Sequence, residues 1–342
     1  NQIPESLLEN APYPVEMAIG FNSNFNMSSP GTDRWDKAIK KLPYYVHISP
    51  FISEMALYAD LVLPSTTFLE EWGYDQSPPG SGFAEAKLKQ PAVPPHGSAR
   101  SIVDVLFQIA KRLNGGVAQS FANMGDDSEG FVRFRTETLI PWKDFLKKGV
   151  WIGKDYEYGK YQRIFLTPSK KFEFSSGNLK STLVKMKKVK EESLDYLPRY
   201  KEAKFLGDEV KYPFVLLPYQ PLLAIENGSQ NYPWAQEIFL PMDGVGWQTL
   251  VEINSETART LRLSDGQAIW VESPFQKIRA KVKFSEGIHP GVVAIPSGQG
   301  HYSYGKWQKG IGVNPNEIIG VDYDRISGQA AFFNTRVRVY KA

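Results

Sequence analysis

The spacing of hydrophobic and polar positions changes character along this chain. Between Val15 and about Gly116, short apolar runs alternate with stretches of helical period. Tyr13-Pro14-Val15-Glu16-Met17-Ala18-Ile19-Gly20 reads as a strand that ends at a glycine. The polar turn Phe21-Asn22-Ser23-Asn24 follows, then a helical stretch near Asp33 to Leu42. Tyr44-Tyr45-Val46-His47-Ile48 predicts the next strand, and Ser53 to Tyr58 a short helix. The run Leu61-Val62-Leu63 halts at Pro64, which has no amide proton for a sheet ladder. A hydroxyl cluster, Ser65-Thr66-Thr67, comes next, with Glu70, Glu71 and Gly73 beyond it. This is the pattern of a buried parallel strand whose carboxyl end opens onto a ligand crevice. Ser101 opens a helix with Ile102, Leu106, Ile109 and Leu113 on one face, closed by Asn114-Gly115-Gly116. Such alternation predicts an α/β fold with a doubly wound parallel sheet. The Pro- and Gly-rich stretch from Ser77 to Ser98 is expected to form a long surface loop.

From Tyr212 onward the pattern is all-β. Phe214 to Leu217, Leu250 to Ile253, Ala268 to Val271, Ile278 to Lys283, Gly291 to Ile295 and Arg336 to Tyr340 read as short strands. Turn signals such as Ser264-Asp265-Gly266 and His289-Pro290-Gly291 separate them, which suggests a closed barrel. Three segments are therefore expected: an α/β domain over 1–116, an irregular connecting segment over 117–210, and a β-barrel domain over 211–342. The lysine-rich run from Lys180 to Lys190 reads as a solvated face.

Composition narrows the function classes. At 342 residues the chain has length for more than one core. Its formal net charge of +3 is too small to imply a nucleic-acid or membrane-surface partner. It contains no cysteine, which excludes disulfides, thiolate metal sites and iron–sulfur ligation within these residues. His47, His96, His289 and His301 are scattered without metal-ligand spacing, and no Ser-His-Asp set or phosphate-binding Gly-Lys motif is present. The opening Asn1-Gln2-Ile3-Pro4 is neither an initiator methionine nor a signal peptide, and a strand pattern follows almost at once. The expectation is the carboxyl-terminal part of a longer polypeptide.

Several fragments carry a family resemblance by their order. They are Ala59-Asp60-Leu61-Val62-Leu63-Pro64, Thr167-Pro168-Ser169-Lys170-Lys171-Phe172-Glu173-Phe174, Asn254-Ser255-Glu256-Thr257-Ala258, Leu263-Ser264-Asp265-Gly266, Val271-Glu272-Ser273 and Gly291-Val292-Val293-Ala294-Ile295-Pro296. The chain resembles the last part of the third domain, plus the fourth, of the molybdopterin oxidoreductases (the dimethyl sulfoxide reductase family). The resemblance implies that the barrel is a double-psi β-barrel. It also implies a bis-molybdopterin guanine dinucleotide holding molybdenum or tungsten. A dinucleotide asks the protein for hydroxyls, amides and backbone donors at strand ends. The candidates are Gly20, Asn22 and Ser23 after the first strand, and Ser49, Pro50 and Phe51 after the second. Asp60 either contacts a nucleotide or caps the turn between helix and strand. In the barrel they are Pro218, Tyr219, Gln220, Asn227 and Asn231, then His301, Tyr302 and Ser303 in a glycine-rich loop, and Asn314, Phe333 and Asn334.

The chain departs from the family pattern in three places. Asn22-Ser23-Asn24 replaces an Asn-Pro pair, Ser49 stands where an aspartate is usual, and Ser53-Glu54-Met55-Ala56 replaces T-E-T-A. Serine offers guanine one neutral partner instead of a charge-assisted pair. The metal's protein ligand and the iron–sulfur cluster belong to earlier parts of the family's polypeptide, so this segment alone is expected to be inactive. The stretches around His301 and Asn314 look most like the branch acting on polysulfide, thiosulfate or arsenate. That branch implies an iron–sulfur electron-transfer subunit, a membrane quinone-handling subunit and a periplasmic or exoplasmic location. The alternative is a cofactor-less structural relative in a quinone-linked respiratory complex.

Overall fold

The computed structural model describes residues 2–76, 82–113, 115–157, 159, 165–186, 190, 197, 200, 202–222, 228–243, 246–324 and 327–342. In chain order the first elements are α1 (Ile3–Glu9), β1 (Met17–Phe21), α2 (Phe25–Ser28), α3 (Thr32–Ile39), β2 (Tyr44–Ser49), a 3₁₀ turn (Met55–Tyr58) and β3 (Leu61–Pro64). Then come β4 (Gly73–Gln76), β5 (Phe83–Lys89), α4 (Ile102–Leu113), α5 (Gly115–Phe121), α6 (Ser128–Thr136), α7 (Trp142–Lys148), β6 (Val150–Asp155) and α8 (Gly177–Lys185). The last are β7 (Phe214–Tyr219), α9 (Pro233–Asp243), β8 (Leu250–Ile253), α10 (Ser255–Thr260), β9 (Ala268–Glu272), β10 (Lys277–Phe284), β11 (Val292–Pro296), a 3₁₀ turn (Pro315–Glu317) and β12 (Arg336–Lys341). Two compact units result: Asn1–Thr67 with Pro95–Ile102 and Lys204–Ala342, and Phe68–Pro94 with Val103–Ala203. Among the described residues no helix is long and apolar enough to cross a membrane.

In the first unit β1, β2 and β3 form a parallel sheet in that order, with Ile19 opposite Val46 and Val46 opposite Leu61. Tyr45, Ile39 and Met55 pack together beside it. The sheet is less covered than its sequence suggests. β3 is an edge strand with no fully buried residue, and Met17, Ile19 and Phe21 of β1 are between 44 and 48% exposed.

The same unit contains a closed barrel of six strands in the order β10-β8-β11-β7-β12-β9. Burial alternates along β8, β9 and β12, so one face of each strand feeds a common interior. Leu216, Val251, Ile253, Ile269, Val271, Val293, Ile295 and Val337 fill that interior and are fully buried. Two pairs, β11 with β7 and β10 with β8, run parallel and the others antiparallel. Gly300 lies beside the barrel at φ +90°, where a Cβ would collide with the backbone of Val313 and Asn314.

The second unit holds an antiparallel sheet, β4-β5-β6, over Ala86, Ile140 and Phe145. Two expectations are corrected here. The stretch from Ser77 to Ser98, read as loop, contains β5, which is held as the central strand of this sheet by partners on both sides. The segment over 117–210, read as irregular, contains α5 to α8 and β6. Two of these helices, α6 and α8, begin at side-chain caps: Asp127 accepts from the Gly130 amide at 2.8 Å and Ser176 from that of Leu179 at 3.2 Å. On α4, Phe107 and Ala110 are the buried residues, while Leu106, Ile109 and Leu113 of the expected apolar face are exposed. Phe107 is drawn in by edge-on contacts with Phe121 and Phe131, with ring centroids 5.4 and 6.0 Å apart.

Truncation of the barrel interior gives a direct stability test. Ile253→Ala is expected to lower unfolding free energy by about 2–5 kcal/mol, through lost transfer energy and the cavity left behind. Chemical denaturation of the parent and the variant checks this. Gly300→Ala is expected to destabilise as well, through strain at a positive φ and the backbone collision, with no loss of buried apolar area.

Candidate cofactor-binding site

Parallel strands end together, and the groups just beyond their carboxyl ends meet. Ile295 of β11 lies opposite Pro218 of β7 and Pro296 opposite Tyr219. Just past the ladder, the Ser297 amide donates to the Tyr219 carbonyl at 2.8 Å. A cavity of about 300 Å³ opens there, lined by Ser28, Pro218, Tyr219, Gln220, Ser297, Asn316, Phe332 and Phe333. Its size is at the small end of the ~300–1,000 Å³ usual for ligand pockets. The consecutive Pro218, Tyr219 and Gln220 are thus brought together with Phe333, far away in sequence. Ser28 reaches the cavity from the end of α2, which Asn316 holds by donating its Nδ2 to the Met27 carbonyl at 2.7 Å.

A second cluster surrounds Glu54, which is fully buried. His301 Nδ1 lies 3.0 and 2.9 Å from its two carboxylate oxygens. The Asn24 Nδ2 donates to it at 2.7 Å and the Ser303 amide at 2.8 Å. Burial by itself pushes this carboxyl up, but the His301 bond and charge, with the Asn24 and Ser303 bonds, outweigh it and hold the group at about 2. The next two residues of the loop add to the clamp: the Ser303 hydroxyl and the Tyr304 amide both donate to the Ile52 carbonyl at 2.7 Å. The Tyr302 hydroxyl accepts from Asn26 Nδ2 at 2.9 Å, and burial, then Tyr58 and Asp36, push that phenol up. Asn231 accepts from the Trp307 amide at 3.1 Å and so braces the same loop.

The expected residues at the parallel sheet have local duties. Gly20 has no room for a Cβ because the Tyr45 and Ser23 hydroxyls occupy that space. Tyr45 bonds His47 Nδ1 at 2.7 Å, and Ser53 Oγ lies 3.2 Å from Nε2 of this fully buried ring, which burial pushes towards neutrality. Asn22 sits at φ +47° with its amide on the Ile48 carbonyl at 3.0 Å. Ser49 accepts from the Phe51 amide at 3.3 Å, Pro50 is exposed, and the Phe51 ring meets Tyr304 at 5.4 Å. The carboxylate of Asp60 accepts from the Tyr45 amide at 2.7 Å, which is the capping alternative. Asn314 accepts from the Asn316 amide at 3.0 Å, and Asn334 donates to Asp322 at 2.7 Å. Asn227 lies outside the described residues.

Whether these residues suit a dinucleotide turns on buried polar atoms that have no partner among the described residues. His301 Nε2, both amide atoms of Gln230, and the Oε1 atoms of Gln299 and Gln308 are such atoms. Two of the glutamines are joined through Gln236: Gln299 donates to Gln236 at 2.9 Å and Gln236 to the Gln230 carbonyl at 2.7 Å, while Gln308 donates separately to the Gly298 carbonyl at 2.6 Å. An unmade hydrogen bond in the interior costs about 1–3 kcal/mol, so such a concentration asks for a polar ligand or ordered water. Amide edges for a heterocycle and a ring nitrogen for a polar oxygen or N–H fit a pterin dinucleotide. Glu54 and the glutamines were absent from the sequence-based candidates. The available signals for Glu54 were its match to the glutamate of the T-E-T-A pattern and its place between the apolar pairs Phe51-Ile52 and Met55-Ala56.

Comparisons with known proteins agree with this chemistry. Residues 6–112 match the family described as "Molybdopterin oxidoreductase", and residues 234–336 match "Molydopterin dinucleotide binding domain". The chain is 29% identical over 385 residues to the arsenate respiratory reductase molybdopterin-containing subunit ArrA of Shewanella sp. (strain ANA-3), covering 96% of this chain and 45% of that protein. It is 22% identical to the menaquinone reductase, molybdopterin-binding-like subunit of Nitratidesulfovibrio vulgaris (strain ATCC 29579), covering 94% and 41% respectively. In fold it is similar to the acetylene hydratase of Pelobacter acetylenicus, with a TM-score of 0.75 at 21% identity over 99% of this chain and 46% of the other. The chain belongs to the molybdopterin oxidoreductases, the dimethyl sulfoxide reductase family. It spans a little under half the length of the curated relatives it matches.

The Glu54 cluster predicts an acid dependence of stability. The carboxyl is held at about 2, against an ordinary 4.5 in the unfolded chain, so its contribution is complete above pH 4.5 and is lost as pH falls towards 2. The loss is on the order of 3 kcal/mol. Denaturation curves across that window are expected to flatten for Glu54→Gln relative to the parent.

Proposed function

We propose that this chain is the cofactor-binding portion of a molybdenum or tungsten oxidoreductase holding a bis-molybdopterin guanine dinucleotide. Its substrate would be an arsenic or sulfur compound reduced or oxidised in anaerobic respiration. The observation that carries the reading is the set of unpartnered buried polar atoms at His301, Gln230, Gln299 and Gln308, on a barrel that matches a dinucleotide-binding domain. When bound, the group supplies two-electron chemistry at its metal. The chain's own residues bind and orient it: Ser28, Ser297 and Gln220 at the strand-end cavity, and His301, Gln230, Gln299 and Gln308 through their unpartnered buried atoms. The double-psi form of the barrel and the doubly wound form of the sheet belong to the same reading.

An arsenic oxyanion is favoured by the similarity to a protein titled an arsenate respiratory reductase subunit. In this reading an iron–sulfur cluster lies in the preceding part of the polypeptide. Electrons exchange with an iron–sulfur subunit and a membrane quinone-handling subunit, on the periplasmic or exoplasmic side. Two observations favour a second reading, a scaffold without cofactor in a quinone-linked complex. The Ser49 hydroxyl stands in place of a carboxylate and is engaged by the Phe51 amide, and one relative is titled only "molybdopterin-binding-like". The unfilled polar atoms weigh against it, because a scaffold gains nothing from their cost.

Elemental mass spectrometry of the native full-length assembly, with guanine measured after acid hydrolysis, separates the two. Molybdenum or tungsten with guanine in twofold excess over metal supports the oxidoreductase, and neither metal nor guanine supports the scaffold. His301→Ala is expected to lower cofactor content while the barrel still unfolds cooperatively. Unchanged content in a stable variant would make the histidine structural.

A further inference from the structure

The His301 imidazole is fixed from several sides. Its Nδ1 is committed to Glu54, its ring lies against Tyr304 with centroids 5.2 Å apart, and its carbonyl accepts from the Gly310 amide at 2.7 Å. The loop around it allows little adjustment: Gly300 and Gly305 both have positive φ, and the space beside Gly305 is filled by the Asn231 amide. An ionised carboxylate only accepts hydrogen bonds, so Nδ1 carries a proton towards Glu54. Nε2 is then the remaining polar atom of the ring, and it is buried without a partner.

We propose that Glu54 is a positioning residue for the dinucleotide site. It commits Nδ1 of His301 and thereby presents Nε2 to a hydrogen-bonding heteroatom of the bound dinucleotide. This rests on the dinucleotide reading above. A carboxylate in this place is costly to bury, and three donors from two distant segments offset that cost. Orienting an imidazole through its other nitrogen is a device known from metal sites, where loss of such a partner typically costs about 10–100-fold in affinity, and that scale is taken here. Glu54 also bonds Asn24 and Ser303, so the test must separate action through His301 from general bracing.

The experiment uses the full-length protein and measures guanine retained per chain, with thermal melting as the control for folding. Glu54→Ala and His301→Ala are each expected to lower retained guanine by about tenfold or more. The double variant is expected to be no worse than His301→Ala alone, because Glu54 acts through the histidine. Glu54→Gln, which still offers an oxygen to Nδ1, should recover most of the loss. Wild-type retention in Glu54→Ala, or a further drop in the double variant, would overturn the proposal and leave the dinucleotide reading intact. A parent protein without guanine would overturn that reading itself, before any substitution is compared.

Discussion

A buried, ionised carboxylate tolerates very few surroundings, and Glu54 imposes that demand on the first unit. Fully enclosed, it needs donors from every direction. They come from Asn24 after β1, from Ser303 and from His301, the last two more than two hundred residues further on. Because each donor satisfies the same group, the loop after the first strand, the 3₁₀ turn and the glycine-rich barrel loop cannot shift independently. Asn26 to Tyr302 and Asn316 to the Met27 carbonyl add neutral bonds across the same junction. The charge gives direction to the whole arrangement, since it decides which nitrogen of His301 is spoken for.

The barrel contributes a second constraint. Pairing β11 parallel to β7 puts the ends of both strands at one place, so Tyr219 and Ser297 face one cavity although separated by most of the barrel sequence. An antiparallel pairing would have placed them at opposite ends. Strand direction, rather than any single residue, therefore locates the candidate site, and the aromatic walls Phe332 and Phe333 reach it from the segment leading into β12.

Much of this was legible in residue order. The strands of the barrel announce themselves by alternation, because each has one face in a dry core, and the parallel strands by their short apolar runs. Pro218, Tyr219, Gln220 and Phe333 could be proposed from family resemblance and do meet at the cavity. Other positions have a visible local duty. Asp60, read as either a nucleotide contact or a cap, accepts from the Tyr45 amide. At Gly20 the place a Cβ would take holds the Tyr45 and Ser23 hydroxyls. β5 was hidden inside a Pro- and Gly-rich stretch because its strand character comes from partners on both sides.

Local sequence specified the barrel strands and the parallel strands, since alternation and short apolar runs involve side chains a few positions apart, but not β5 or the helices α5 to α8. It specifies the closed barrel nearly as well, since alternation leaves few other ways to bury so many β-branched residues. It has no means to say that Glu54 and His301 touch, or that glutamines 230, 299 and 308 leave polar atoms unmatched in the interior. Those facts depend on which loops the barrel and the parallel sheet bring together, and on how much water remains between them. Burial and pairing are properties of the assembled chain, and they turn ordinary polar residues into a candidate binding site.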